Sequence, residues 1–121
     1  MRRRLAVALA IALLAGCSSS PASQPATTGC ASAAPDGVVV TVAVQDGRAE
    51  PAPHRVKVPL GSAVLLRVEA DADAEVHVHG YDLTTEAKPG SAGCVSFVAD
   101  RSGLFDVEAH PETLLVQLEV R

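Results

Sequence analysis

Tryptophan is absent from this 121-residue chain, and its other large aromatics amount to one Tyr and two Phe. Any core must therefore be aliphatic, built mostly from Val, Leu and Ala. Positive charge is also scarce: ten Lys and Arg stand against fourteen Asp and Glu. No Lys/Arg cluster follows the three arginines at residues 2–4. That balance excludes DNA, RNA and anionic headgroups as partners, since all of them select basic clusters. Methionine occurs once, as Met1. There is no internal repeat and no convincing amphipathic helix. Hydrolase signatures are missing as well. The serines crowd into residues 18–32 and the turns, without a G-x-S-x-G elbow. No H-E-x-x-H is present, and neither Cys30 nor Cys94 adjoins a histidine. The chain is not expected to be an enzyme.

What is present begins with Arg2, Arg3 and Arg4 followed by the apolar run LAVALAIALLAG. About 20 apolar residues are needed to cross a bilayer, so this shorter run reads as a secretory signal. It ends in LAGC, Leu14 to Cys17, which resembles the lipobox of bacterial lipoproteins. The resemblance implies a signal peptide over 1–16 and acylation of Cys17. The protein is then held by lipid on the extracytoplasmic face of the cell membrane. Residues 17–37, rich in Ser, Pro, Ala and Thr, lack periodicity and large apolar side chains. They read as a flexible tether, unable to bury enough surface to offset their ordering entropy. Loss of the signal arginines leaves seven basic against fourteen acidic residues, a formal charge of −7.

With Cys17 acylated, Cys30 and Cys94 are an even pair in an oxidising compartment. Either they form a disulfide, or Cys94 is a small buried side chain and Cys30 is free. Spacing alone does not decide, because the two Cα atoms must come within about 7 Å.

From Val38 to Arg121 short apolar stretches alternate with turns. VVVTVAV (38–44), HRVKVPL (54–60), SAVLLRVEA (62–70), VHVHGYDL (76–83), CVSFVAD (94–100), GLFDVEAH (103–110) and TLLVQLEVR (113–121) read as about seven strands. Asp46–Gly47 and Pro89–Gly90 mark turns between them. This is the pattern of one all-β sandwich domain over 38–121, with a monomer favoured.

Three signatures in this order resemble a cupredoxin-like domain, a Greek-key β-sandwich. They are the V-x-x-G-x-x-V-x-L-x-V stretch (Val58, Gly61, Val64, Leu66, Val68), the HGY of His79 to Tyr81, and ADRSGLFDVE, Ala99 to Glu108. The resemblance places His79 at the family's first ligand histidine and EAHPETLLVQ, Glu108 to Gln117, at its second ligand loop. Blue-copper sites take two His, a Cys thiolate and an axial ligand, usually Met. This loop supplies His110 but neither Cys nor Met, so a blue-copper electron carrier is not expected.

A histidine set remains. Residues i and i+2 of a strand face one side about 6.5–7 Å apart, so His77 and His79 are able to converge on one ion. His110 closes the site if its loop folds over the same end. Imidazoles suit Cu(II), Zn(II) and Ni(II), with copper favoured by the affinity order. Glu108, Glu112, Asp82 and Glu75 are candidates to add an oxygen or to orient a ring. His54 starts a different strand and is left out. The competing reading is that Val76 and Val78 face the core while the histidines occupy a solvated face. Two functions follow. One is a domain that binds or passes on copper through histidines. The other is a metal-free sandwich that contacts an as yet unknown envelope protein. The HVH strand also resembles copper–zinc superoxide dismutase, but four histidines fall short of that enzyme's ligand set.

Overall fold

The computed structural model describes residues 27–121. The expected signal peptide, Cys17 with its expected acylation, and residues 18–26 of the expected tether lie outside the described residues. The strands are β1 (Thr27–Thr28), β2 (Val38–Gln45), β3 (Arg48–Glu50), β4 (His54–Val58) and β5 (Ala63–Ala70). They continue with β6 (Ala74–Val78), β7 (Leu83–Ala87), β8 (Gly93–Val98), β9 (Gly103–Ala109) and β10 (Thr113–Val120). They form two five-stranded sheets, ordered β1-β8-β5-β2-β3 and β4-β10-β9-β6-β7. The β2–β5 and β10–β4 pairs are parallel and the others antiparallel.

Seven of these strands coincide with the seven apolar stretches. The additional ones are the short Thr27–Thr28 and Arg48–Glu50 and the mainly polar LTTEA of β7. The stretch 76–83 is divided because the backbone leaves the strand after Val78. Gly80 (φ 82°) and Asp82 (φ 55°) take left-handed conformations there, which an extended strand does not allow. Gly80 is further constrained because a Cβ at this position would run into the ring of Phe105.

The core is aliphatic. Val40, Val42, Val64, Leu66, Val68 and Val95 of one sheet face Val76, Val78, Val107, Leu115, Val116 and Leu118 of the other, all buried. Alternation is broken in β8, where Gly93, Cys94 and Val95 are buried in succession, and in β10, where the register shifts between Leu114 and Val116. This bulge turns Leu115 and Val116 both inward. No polar or charged residue is buried among the described residues.

The sandwich has two ends. At the proximal end β2, β5 and β9 begin and β4, β6, β8 and β10 finish. Leu60 N donates to Arg121 O at 3.0 Å and Gly61 N to Ala99 O at 2.7 Å, closing this end. The three aromatic residues gather there. Tyr81 packs on Phe97 and Phe105 with ring centroids 4.7 and 4.8 Å away, and its hydroxyl donates to Arg101 O at 3.2 Å. At the distal end Thr113 Oγ1 donates to Gly47 O at 3.2 Å.

The N-terminal segment is attached before Val38. Strand β1 pairs with β8, Gly29 N donates to Cys94 O at 3.0 Å, and Cys30 is bonded to Cys94, Cα atoms 4.9 Å apart. The segment then runs back across the outer face of the first sheet to β2. An apolar groove of about 250 Å³ remains beneath it, between Ala31–Ala34 and Leu65, Phe97 and Val98.

Candidate functional site

Strand parity places the histidines. In β6, Val76 and Val78 are fully buried, so Glu75 and His77 face outward and His79, one residue past the strand, follows them. Strand β9 runs antiparallel beside β6, with His77 opposite Glu108 and Val76 opposite Ala109. Glu108 therefore shares the outer face with His77. One residue beyond β9, His110 N donates to Glu75 O at 2.8 Å, and at the other end of β6 His79 N donates to Asp106 O at 2.9 Å. These backbone bonds fix His79 at the proximal limit of a row and His110 at the distal limit, with His77 between them.

The imidazoles of this row are close. The His77 and His79 ring centroids lie 4.5 Å apart with the planes inclined by 57°. His77 and His110 lie 6.3 Å apart, nearly parallel. Each ring has its own carboxylate. His79 Nε2 donates to Glu108 Oε2 at 3.0 Å. His110 Nε2 lies 3.5 Å from Glu75 Oε1, and His77 Nε2 lies 3.6 Å from Asp82 Oδ1. A carboxylate is an acceptor, so Glu108 holds the His79 proton on Nε2 and leaves Nδ1 of the neutral ring with its lone pair. This carboxylate–imidazole pairing is the one that commonly orients a metal-binding histidine.

Of the sequence candidates, His77, His79, His110, Glu108, Asp82 and Glu75 thus share one solvated patch. Glu112 sits on the distal turn, exposed and without a bond to any of these rings. His54 starts β4, with β10 and β9 between it and β6. Cys94 is on the opposite sheet, bonded to Cys30. Sequence reasoning did not single out the polar ladder beside the patch. Gln117 Nε2 donates to Asp106 Oδ1 at 2.8 Å, and Arg55 Nε donates to Gln117 Oε1 at 2.9 Å, linking β9, β10 and β4 across the outer face. The parity of Asp106 with Glu108 was the available signal.

The donor set bears directly on metal. Two imidazoles on one ion, with nitrogens at about 2.0 Å, put their ring centres about 4.5–6 Å apart. The His77–His79 separation lies in that span and the His77–His110 separation just beyond it. Among the described residues no group of three or more His, Cys, Asp or Glu side chains is arranged to hold a metal ion. The spacing of the His77 and His79 rings is compatible with two imidazoles on one ion, whereas no closed three-ligand arrangement is present among the described residues.

No protein-family model matches the chain. No curated protein matches it either. Solved structures do match. A multi-copper oxidase from Pediococcus acidilactici superposes with a TM-score of 0.60 at 11% identity, covering 76% of this chain and 28% of that one. Another multicopper oxidase gives 0.56 at 17% identity, covering 73% and 45%. The Cu(I) form of an amicyanin variant gives 0.50 at 17% identity, covering 81% and 100%. The chain spans less than half of either oxidase. At such identities the likeness speaks for architecture, and the architecture is that of a cupredoxin-like β-sandwich.

Proposed function

We propose that this protein is a lipid-anchored, extracytoplasmic lipoprotein whose cupredoxin-like domain binds a transition-metal ion, copper foremost, and passes it on without catalysing a reaction. The carrying observation is the 4.5 Å separation of the His77 and His79 rings on one solvated strand face, each ring paired with a carboxylate. His77 and His79 hold the ion, and His110 stands next in the row as a further nitrogen donor. Glu108 keeps the His79 ring oriented. Bound there, the ion supplies Lewis acidity and exchangeable coordination positions. An open, two-imidazole site at the surface suits release to an envelope partner better than permanent retention.

A blue-copper carrier is not proposed. Cys94 is committed to a disulfide on the other sheet, and the sequence holds no Met besides Met1. The fold neighbours that carry copper supply context only, since fold does not fix function. The remaining reading is a metal-free contact surface for an envelope protein. It draws on the fact that every ring in the row already has a carboxylate partner.

Cu(II) titration followed by EPR separates the two. The expected result is one equivalent of nitrogen-ligated Cu(II), lost in His77→Ala and in His79→Ala and weakened in His110→Ala. Weak binding that none of the three substitutions alters would leave the row as a metal-free surface.

A further inference from the structure

Among the described residues, five large apolar side chains are exposed: Val39, Leu60, Val98, Leu104 and Leu114. Four of them lie at the proximal end. Val39 is the second residue of β2 and Leu104 the second of β9, Val98 ends β8, and Leu60 occupies the turn after β4. Val39, Leu60 and Leu104 are each more than half exposed. The groove under the N-terminal segment lies at this end too, lined by Val38, Ala63, Phe97 and Val98. Val39 and Val98 point from the outer face of the first sheet and Leu104 from that of the second, with Leu60 on the turn between the sheets, so apolar side chains rim this end of the sandwich on both sides.

The path of the chain says what it contacts. Strand β1 lies antiparallel to β8, with Thr27 opposite Ser96 and Thr28 opposite Val95. Within β1 the N-terminal residue, Thr27, is thus the one nearer Val98 and the proximal end. Ten residue steps separate Cys17 from Thr27. That length spans about 36 Å at full stretch and roughly 17 Å as a coil. The eight-residue strands are about 27 Å long. A chain joined at Cys17 to lipid thus brings the proximal end to the bilayer more readily than the distal one.

Charge does not oppose this. Arg101 and Arg121 are exposed at the proximal end beside Asp82 and Asp100, so the charges are mixed and apolar contact has to carry the interaction. The chain's overall negative charge likewise argues against attraction to anionic headgroups.

We propose that the proximal end, through Leu60, Leu104, Val98 and Val39, rests on the phospholipid bilayer that holds Cys17, with the sandwich standing on that end. The histidine row then runs from His79 near the membrane to His110 away from it, open along its side to a partner. This inference rests on the lipid-anchor reading.

The absence of tryptophan provides the test. Leu60→Trp, Leu104→Trp and Leu114→Trp each install a sole reporter, the last at the distal end. The full lipidated chain is bound to phosphatidylcholine vesicles with plain or brominated acyl chains, and co-flotation is scored on the same samples. The expected result is co-flotation, a blue shift and loss of most emission in brominated vesicles for Leu60→Trp and Leu104→Trp, and unchanged emission for Leu114→Trp. Co-flotation with undiminished proximal emission would overturn the docking while leaving the anchor intact, and that end would then face water or a protein. Equal quenching of all three reporters would also overturn it. Failure to co-float would remove the anchor reading, and the docking with it.

Discussion

Breaking the Cys30–Cys94 bond should cost this domain a large share of its stability, mainly through the unfolded chain. The two residues are 64 apart in sequence, so the bond closes a loop containing most of the described domain. On a chain-entropy basis such a loop contributes about 4 kcal/mol at 25 °C, within the roughly 2–5 kcal/mol lost when native disulfides are removed. Domains of this size are stable by only about 5–15 kcal/mol, and each kcal/mol shifts the midpoint by about 4–8 °C. Reduction, or the Cys30→Ala/Cys94→Ala pair, is therefore expected to lower Tm by about 15–30 °C. The assay is thermal and urea unfolding of the oxidised, reduced and double-substituted protein. The urea slope should rise in the latter two, because the freed unfolded chain exposes more surface. A Tm drop of a few degrees with an unchanged slope would refute the reasoning. The bond would then merely pin the N-terminal segment, which already pairs through β1 and Gly29.

Further expectations follow from single sites. A Cβ on Gly93 would lie 2.8 Å from Glu86 O and 2.9 Å from Glu86 C, both backbone atoms. Gly93→Ala should thus destabilise the domain by about 1–3 kcal/mol, read from its urea midpoint. Glu108→Ala removes the acceptor that orients His79. Under the metal reading it should weaken Cu(II) binding by about 10–100-fold in a competition titration; unaltered affinity would show that Glu108 has no part in the site.

Seven of the strands were legible because Val and Leu repeat with period two between recognisable turns, as in VLLRV of β5 and LLVQLEV of β10. β7 was not, since LTTEA has apolar residues only at its ends and is held by pairing with β6. The bulge at Leu115 was equally hidden, because two adjacent inward residues look like any other part of an apolar run. The outward facing of His77 and His79 could be read from the valines between them. That His110 meets Glu75, and that His77 sits opposite Glu108, depends on the β6–β9 register, which no local pattern encodes. The cysteines posed the same problem, because joining them needed a distance across the fold rather than a count.

This outward parity also decides whether the copper experiment is interpretable. A histidine that supported the core would destabilise the domain when removed, and a lost signal would then reflect unfolding rather than lost ligands. The side chains of His79 and His110 are 48% and 51% exposed, and that of His77 is 22% exposed. Their contacts are with Asp82, Glu108, Glu75 and one another, whereas the valines between them carry the burial. Solvent-exposed polar contacts of this kind are worth about 0–1 kcal/mol, and surface substitutions usually lie within about 0.5 kcal/mol of neutral. The His77→Ala/His79→Ala/His110→Ala protein should therefore unfold within several degrees of the parent in the absence of metal. Added Cu(II) should raise the Tm of the parent alone, since a ligand of the folded state stabilises it in proportion to its binding. A triple variant that melts far below the parent without metal would show that the carboxylate–imidazole pairs hold β6 to β7 and β9. The row would then be structural, and the metal reading would lose its support.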